Sequence, residues 1–269
     1  MINFRSPQDV ALITGAYGGI GVAYCEECAQ RGFPLAISGR DATKLDQLAA
    51  ELRDKYTVPV HVFPMDLATE TGPQDLYQAV TDVGLNVELL INNAGILRNE
   101  PVHESSVTTN NAMLDVNMKA LTTLATLASK DMVARGHGQI VNMASTASWV
   151  AIPEQNIYAA TKAYVRHFSL AMNNELKARN TGVNTTTVCP NWTATRMLSD
   201  PGQGKILGLP EVTFMTPQRV AKEAMRGVDN NKAMVVPGGI WGPAMYLSQF
   251  LPVRLMTAVF GFYYRSISR

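Results

Sequence analysis

Short apolar runs alternate along the chain with longer amphipathic stretches. Val10 to Thr14, Leu35 to Ser38, Val60 to Phe63, Val87 to Ile91, Gln139 to Met143, Val183 to Cys189 and Ala233 to Val236 are each bounded by turn residues, and the pattern predicts seven β-strands. The stretches between them carry helical periodicity. Asp41 to Tyr56 reads as a helix with Asp41 as its cap, and Tyr158 to Arg179 as a long helix closed by Gly182. Strand and helix in alternation call for right-handed crossovers, hence an α/β, doubly wound (Rossmann) parallel sheet with helices on both faces. Ligands of such sheets sit beyond the carboxyl ends of the strands.

A length of 269 residues with 46% hydrophobic content fits one domain with a sizeable core, and no repeat or low-complexity tract divides the chain. The net charge of +1 and the lack of a basic run exclude a nucleic-acid footprint. Three cysteines, and an N-terminus without an apolar signal core, point to the cytoplasm.

The candidate chemistry lies at the predicted strand ends. Tyr158 and Lys162 are four residues apart on one helix face, and Ser145 follows a predicted strand. An ammonium beside a phenol favours the phenolate. Moving tyrosine from ~10 to about 7 requires roughly 4 kcal/mol, of which one lysine supplies a part. The remainder calls for a second positive charge such as an oxidised nicotinamide, so the trio itself implies a cofactor.

After the first strand comes Thr14-Gly15-Ala16-Tyr17-Gly18-Gly19-Ile20-Gly21, with a helix expected from about Val22. Glycines at 15, 19 and 21 permit a tight turn, close approach to a pyrophosphate, and close packing of helix on strand. The spacing departs from the common Gly-x-Gly-x-x-Gly pattern, so further support is needed. It comes at Ser38-Gly39-Arg40, where no carboxylate follows the second strand to hold a free ribose. Arg40 offers a planar guanidinium for a 2'-phosphate, which favours NADP, with Lys44 adding positive potential. Asp41 offers a competing partner that would make Arg40 a plain surface residue.

The glycine loop, Asp66-Leu67, Asn92-Asn93-Ala94-Gly95, Ser145, Tyr158 and Lys162 occur in an order that resembles the short-chain dehydrogenase/reductase family over about Val10 to Pro237. The resemblance implies that Tyr158 gives its proton to a carbonyl oxygen, and that Ser145 hydrogen-bonds the same oxygen. It implies that Lys162 binds the nicotinamide ribose and lowers the tyrosine pKa, and that Asn117 anchors a water in the proton relay. By the same likeness Gly15, Tyr17, Gly19, Ile20, Gly21, Arg40, Asp66, Leu67, Asn93, Ala94, Gly95, Pro190, Thr193 and Thr195 line the cofactor. Asp66 would bond the adenine amino group, with Leu67 beneath the ring. One departure is Asn191, where the family usually has glycine; asparagine tolerates a left-handed backbone, which would preserve the turn. A homodimer or homotetramer follows from the same likeness, and the tail loosely resembles bacterial acyl-chain and steroid reductases.

The remaining features have plainer readings. Cys25-Glu26-Glu27-Cys28 has redox or metal spacing but lacks a second ligand pair, so no metal site is expected. The four histidines show no ligand spacing. Residues 197–214, with Pro201, Gly202, Gly204, Gly208 and Pro210 around Ile206, Leu207 and Leu209, read as a mobile lid. With Trp149, Val150, Trp192 and Met197, the lid suggests an apolar substrate, although such residues also seal ordinary loops. The apolar tail 240–269 is divided by Pro243, Pro252 and Arg254 into pieces too short to span a bilayer of about 30 Å. It could pack on a subunit, cover the cleft or lie on a membrane surface. The resulting expectation is an oxidoreductase moving hydride between NADP(H) and the carbonyl or alcohol of a hydrophobic ketone, aldehyde or acyl substrate. The rival is a non-catalytic NADP-binding sensor or scaffold, associated with membrane through its tail.

Overall fold

The structure, a computed structural model, describes residues 4–193, 215–239, 241–248 and 250–267. Among them run seven parallel strands in the order β3-β2-β1-β4-β5-β6-β7. These are β1 (Asp9–Thr14), β2 (Leu35–Gly39), β3 (Val60–Pro64), β4 (Asn86–Asn92), β5 (Gly138–Met143), β6 (Val183–Val188) and β7 (Met234–Val235). Each predicted strand is present, with ends shifted by a residue or two.

Between the strands run α1 (Gly19–Gln30), α2 (Ala42–Tyr56), α3 (Gly72–Asp82), α4 (Val107–Leu114), α5 (Leu121–Arg135), α6 (Asn156–Ala178) and α7 (Pro217–Asp229), with α8 (Trp241–Ser248) and α9 (Val253–Ile267) after the sheet. Because helices cover both faces, all six residues of β1 are buried and alternate between two cores. Ala11 and Ile13 meet the α1, α2 and α7 side, where Tyr24, Leu45 and Val220 pack. Val10 and Leu12 meet the opposite side with Leu76, Leu124 and Leu176.

Local chemistry starts and stops these elements as the sequence implies. Asp41 caps α2, accepting from the Lys44 backbone at 3.1 Å, which satisfies one donor of the open first turn. The α1 helix begins at Gly19, earlier than the expected Val22, so Gly19, Ile20 and Gly21 form its first turn. Cys25 and Cys28 consequently sit well inside α1, free and fully buried, and burial raises both thiols. They are core residues, and among the described residues no cluster could hold a metal. The chain's strand order turns back between β1 and β4, and at that crevice the carboxyl ends of β1, β4 and β5 bring the predicted site residues together.

Candidate active site

The turn after β1 depends on close backbone approach. Gly15 has φ +63, and a Cβ there would lie 3.0 Å from the Ala94 Cα. A Cβ on Gly21 would strike the Gly15 carbonyl, which is why the loop can fold tightly over the first turn of α1. Asn93 ties this loop to the end of β4. Its side-chain nitrogen donates to the Thr14 and Gly15 carbonyls at 3.0 and 3.2 Å, while the Thr14 hydroxyl accepts from the Asn93 and Ala94 amides at 3.0 Å each.

At the end of β2, the Tyr17 ring lies against Gly39, and a Cβ on Gly39 would approach it to 2.5 Å. No acidic side chain fits there. Arg40 is exposed and has no hydrogen-bond or ion-pair partner among the described residues. Asp41, its competing neighbour, pairs instead with Lys44 at 2.9 Å, and the Lys44 ammonium stands 5.6 Å from the centre of the Tyr17 ring. Asp66 is exposed after β3, with Oδ1 accepting from Ala68 at 2.9 Å, and Leu67 is buried beside it. This open rim of glycine backbone, aromatic ring and unpaired guanidinium fits an adenosine 2'-phosphate dinucleotide.

Ser145, Tyr158, Lys162 and Asn117 meet beyond β4 and β5. Ser145 starts the 3-10 turn Thr146–Trp149, its Oγ accepting from the Ala147 amide at 3.1 Å, and its side chain lies close enough to Tyr158 to favour the phenolate. Tyr158 and Lys162 lie on α6 with the ammonium 5.7 Å from the centre of the Tyr158 ring. Lys162 is 5% exposed, and its ammonium donates to the Met143 carbonyl at 2.7 Å.

Burial shifts Tyr158 and Lys162 each toward its neutral form. Burial pushes the Tyr158 hydroxyl up to about 12, with Ser145 only partly opposing it. Burial likewise pushes Lys162 down to about 8, partly offset by nearby Cys189. Desolvation penalises the charged form of each group and is the largest cause for both.

Asn117 lies in a π-helical segment, Asp115–Ala120, inserted between α4 and α5. The wider turn aims its fully buried amide inward. Nδ2 donates to the Ile96 carbonyl at 2.9 Å and the Thr161 hydroxyl at 3.1 Å, while Oδ1 accepts from the Ile96 amide at 2.8 Å. A Cβ on Gly95 would lie 3.4 Å from the Asn117 Oδ1 and 3.5 Å from the Lys162 ammonium, so Gly95 is the gap around which the two polar groups gather.

Pro190 and Thr193 are buried on the β6 side of the crevice. Asn191 does not take the expected left-handed backbone: it is absent from the residues with positive φ. The asparagine instead acts through its side chain, whose Oδ1 accepts from the Thr146 hydroxyl at 3.3 Å, next to Ser145. The Thr193 hydroxyl donates to the Asn191 carbonyl at 2.8 Å, and the Thr146 amide donates to Pro190 at 3.0 Å. Thr195 and the expected lid 197–214 lie outside the described residues.

Two further features adjoin the site, and of their residues the sequence singles out Trp149, Val150 and Trp192. Arg166, one turn beyond Lys162 on α6, stacks 4.3 Å from the centre of the Trp149 ring. An apolar wall of Ala147, Val150, Ile152 and Ala159 adjoins Tyr158 and receives Trp149, Trp192 and Met256. The spacing of Arg166 four residues after Lys162 was the available clue.

Residues 9–205 match the short chain dehydrogenase family, and the chain belongs to it. It is 33% identical over 191 residues to a very-long-chain 3-oxoacyl-CoA reductase of Anas platyrhynchos, covering 70% of this chain and 60% of that protein's length. It is 32% identical over 182 residues to the NADP-dependent 3-hydroxy acid dehydrogenase YdfG of Escherichia coli, covering 67% of this chain and 71% of the relative. Its fold superposes on a short-chain dehydrogenase from Sphingobium yanoikuyae in complex with NADPH with a TM-score of 0.79 and 28% identity, over 91% of this chain and 96% of that one.

Proposed function

We propose that the chain is an NADPH-dependent reductase of a hydrophobic carbonyl compound, and that a 3-oxoacyl derivative is the substrate class. The observation that carries this reading is the neighbouring Ser145 and Tyr158 pair standing between the buried Lys162 and an apolar wall. The glycine turn, the Tyr17 ring, Asp66, Leu67, Asn93, Ala94 and Gly95 would hold the dinucleotide, and the unpaired Arg40 its 2'-phosphate. When bound, NADPH supplies the hydride that the carbonyl carbon accepts.

The chain's own residues handle the oxygen. Tyr158, held protonated by its burial, donates its proton to the carbonyl oxygen, and the Ser145 hydroxyl donates a hydrogen bond to that atom. Lys162 and Asn117 form a polar floor beneath it, with Thr161 linking Asn117 to α6. Ala147, Val150, Ile152 and Trp149 exclude water and receive the aliphatic part of the substrate. Two relatives named for 3-oxoacyl-CoA and 3-hydroxy acid chemistry support the acyl assignment. Three free, buried cysteines suit the cytoplasm, and exposed Val107, Leu114 and Val133 offer apolar area for a homodimer or homotetramer.

The test is a panel of ketones, aldehydes and 3-oxoacyl thioesters of graded chain length, followed by NADPH oxidation. The reading expects kcat/KM to rise with chain length and to be highest for the thioesters. No turnover of any carbonyl compound, with NADPH bound, would overturn it.

A further inference from the structure

The tail has a surface that the described residues leave uncovered. Leu247, Phe250, Leu251, Val253, Leu255 and Phe262 are all exposed, Phe250 to 80% and Phe262 to 74%. The other exposed large apolar residues are scattered over the α3–α5 region. On α9, Leu255 and Phe262 are seven residues apart and so share one face, and exposed Ala258 lies between them. Phe250, Leu251 and Val253, at the link from α8 to α9, are exposed as well.

Charge identifies the occupant. No Asp or Glu follows Asp229, whereas Lys232, Arg254, Arg265 and Arg269 do. Arg254 is exposed near the start of α9, next to the exposed Leu255. An exposed apolar face next to Arg254, on a tail without acidic residues, complements an anionic lipid surface. It does not complement a second copy of itself, because a two-fold contact would set arginine against arginine with no carboxylate to pair. Among the described residues no helix is long and apolar enough to cross a membrane.

We propose that α8 and α9 dock the chain on an anionic bilayer, lying in the plane of the headgroups. The inference deepens the reductase reading and rests on it for the position of the cleft. Met256, next to the exposed Leu255, packs on the wall that includes Tyr158, and α8 touches the turn Thr146–Trp149. The docking face and the substrate wall therefore share one helix, so the cleft stands beside the lipid from which an apolar acyl substrate is taken.

The experiment is co-sedimentation of the full chain with vesicles of phosphatidylcholine alone or mixed with phosphatidylglycerol, alongside a Leu255→Glu/Phe262→Glu variant and Arg254→Glu. Both variants change exposed positions, and circular dichroism confirms their folding. Partition onto the mixed vesicles is expected to exceed that onto phosphatidylcholine by on the order of tenfold, and to fall as far in the double variant. Arg254→Glu should lose a smaller part of it and weaken the dependence on salt. The proposal is overturned if the parent chain stays in the supernatant, if the double variant binds as the parent does, or if light scattering shows that variant converting an oligomer to monomer. None of these readouts uses turnover, so their failure leaves the reductase reading standing.

Discussion

The Lys162 ammonium donates to the Met143 carbonyl at 2.7 Å, at the carboxyl end of β5, rather than reaching the Tyr158 hydroxyl through open space. This bond holds a cation in a dry position, where burial depresses its pKa to about 8. Below that value Lys162 is charged, and above it the charge is lost.

The rate should follow that charge. For reduction at limiting substrate, kcat/KM is expected to fall as pH rises through about 8, since the titration of the free enzyme governs this parameter. Arginine keeps its proton throughout this range, so Lys162→Arg should be slower yet lack the fall near pH 8. A pH-rate profile for the two proteins checks this. A parent profile flat to pH 10, or an unchanged limb in the variant, would assign the titration elsewhere.

Arg40 stands unpaired because Asp41 is committed to the α2 cap and to Lys44. Arg40→Asp should therefore raise the Michaelis constant for NADPH by on the order of tenfold or more while changing that for NADH little, because it removes a charge-assisted partner of the 2'-phosphate and adds repulsion. Initial-rate kinetics with both cofactors decide the matter. Equal effects would show that Arg40 does not read the phosphate.

Asn117 satisfies both backbone groups of Ile96 from a fully buried position. Asn117→Ala is expected to cost roughly 1–3 kcal/mol of stability by leaving those groups without partners, in addition to lowering activity. Urea denaturation measures it. A loss below about 0.5 kcal/mol would mean that water or a shifted backbone replaces the amide.

Asn191 holds the Thr146 hydroxyl without a left-handed backbone. Asn191→Gly, the residue usual in the family, should thus relieve no strain. The expected result is a loss of about 1 kcal/mol in stability from the missing hydrogen bond and the freer chain, with no gain in NADPH affinity. Thermal melting and a cofactor titration test it, and a stabilised variant would contradict the assignment.

These positions also show what the sequence makes legible. The strands were readable because burial on both faces of a parallel sheet yields continuous apolar runs, and the motifs fell at strand ends because crevice ligands bind there. The Asp41 cap was readable for a similarly local reason. What escaped depends on tertiary packing. The π-helical segment that aims Asn117 has no periodic signature, the choice of Asp41 between Arg40 and Lys44 is made by side-chain geometry, and the upward shift of Tyr158 comes from burial, which spacing does not encode. Spacing of four residues predicted the proximity of Tyr158 and Lys162, but it carried no information on how dry that place is.

The account's central claim is that Tyr158 gives the proton to the substrate oxygen, and the most direct measurement is turnover and cofactor binding by Tyr158→Phe. The ring and its packing remain, and only the hydroxyl beside Ser145 is lost. Carbonyl reduction is expected to drop by on the order of 10²–10⁴-fold, the usual contribution of a positioned general acid, while NADPH fluorescence titration gives an unchanged dissociation constant. Turnover at the parent rate would contradict the account.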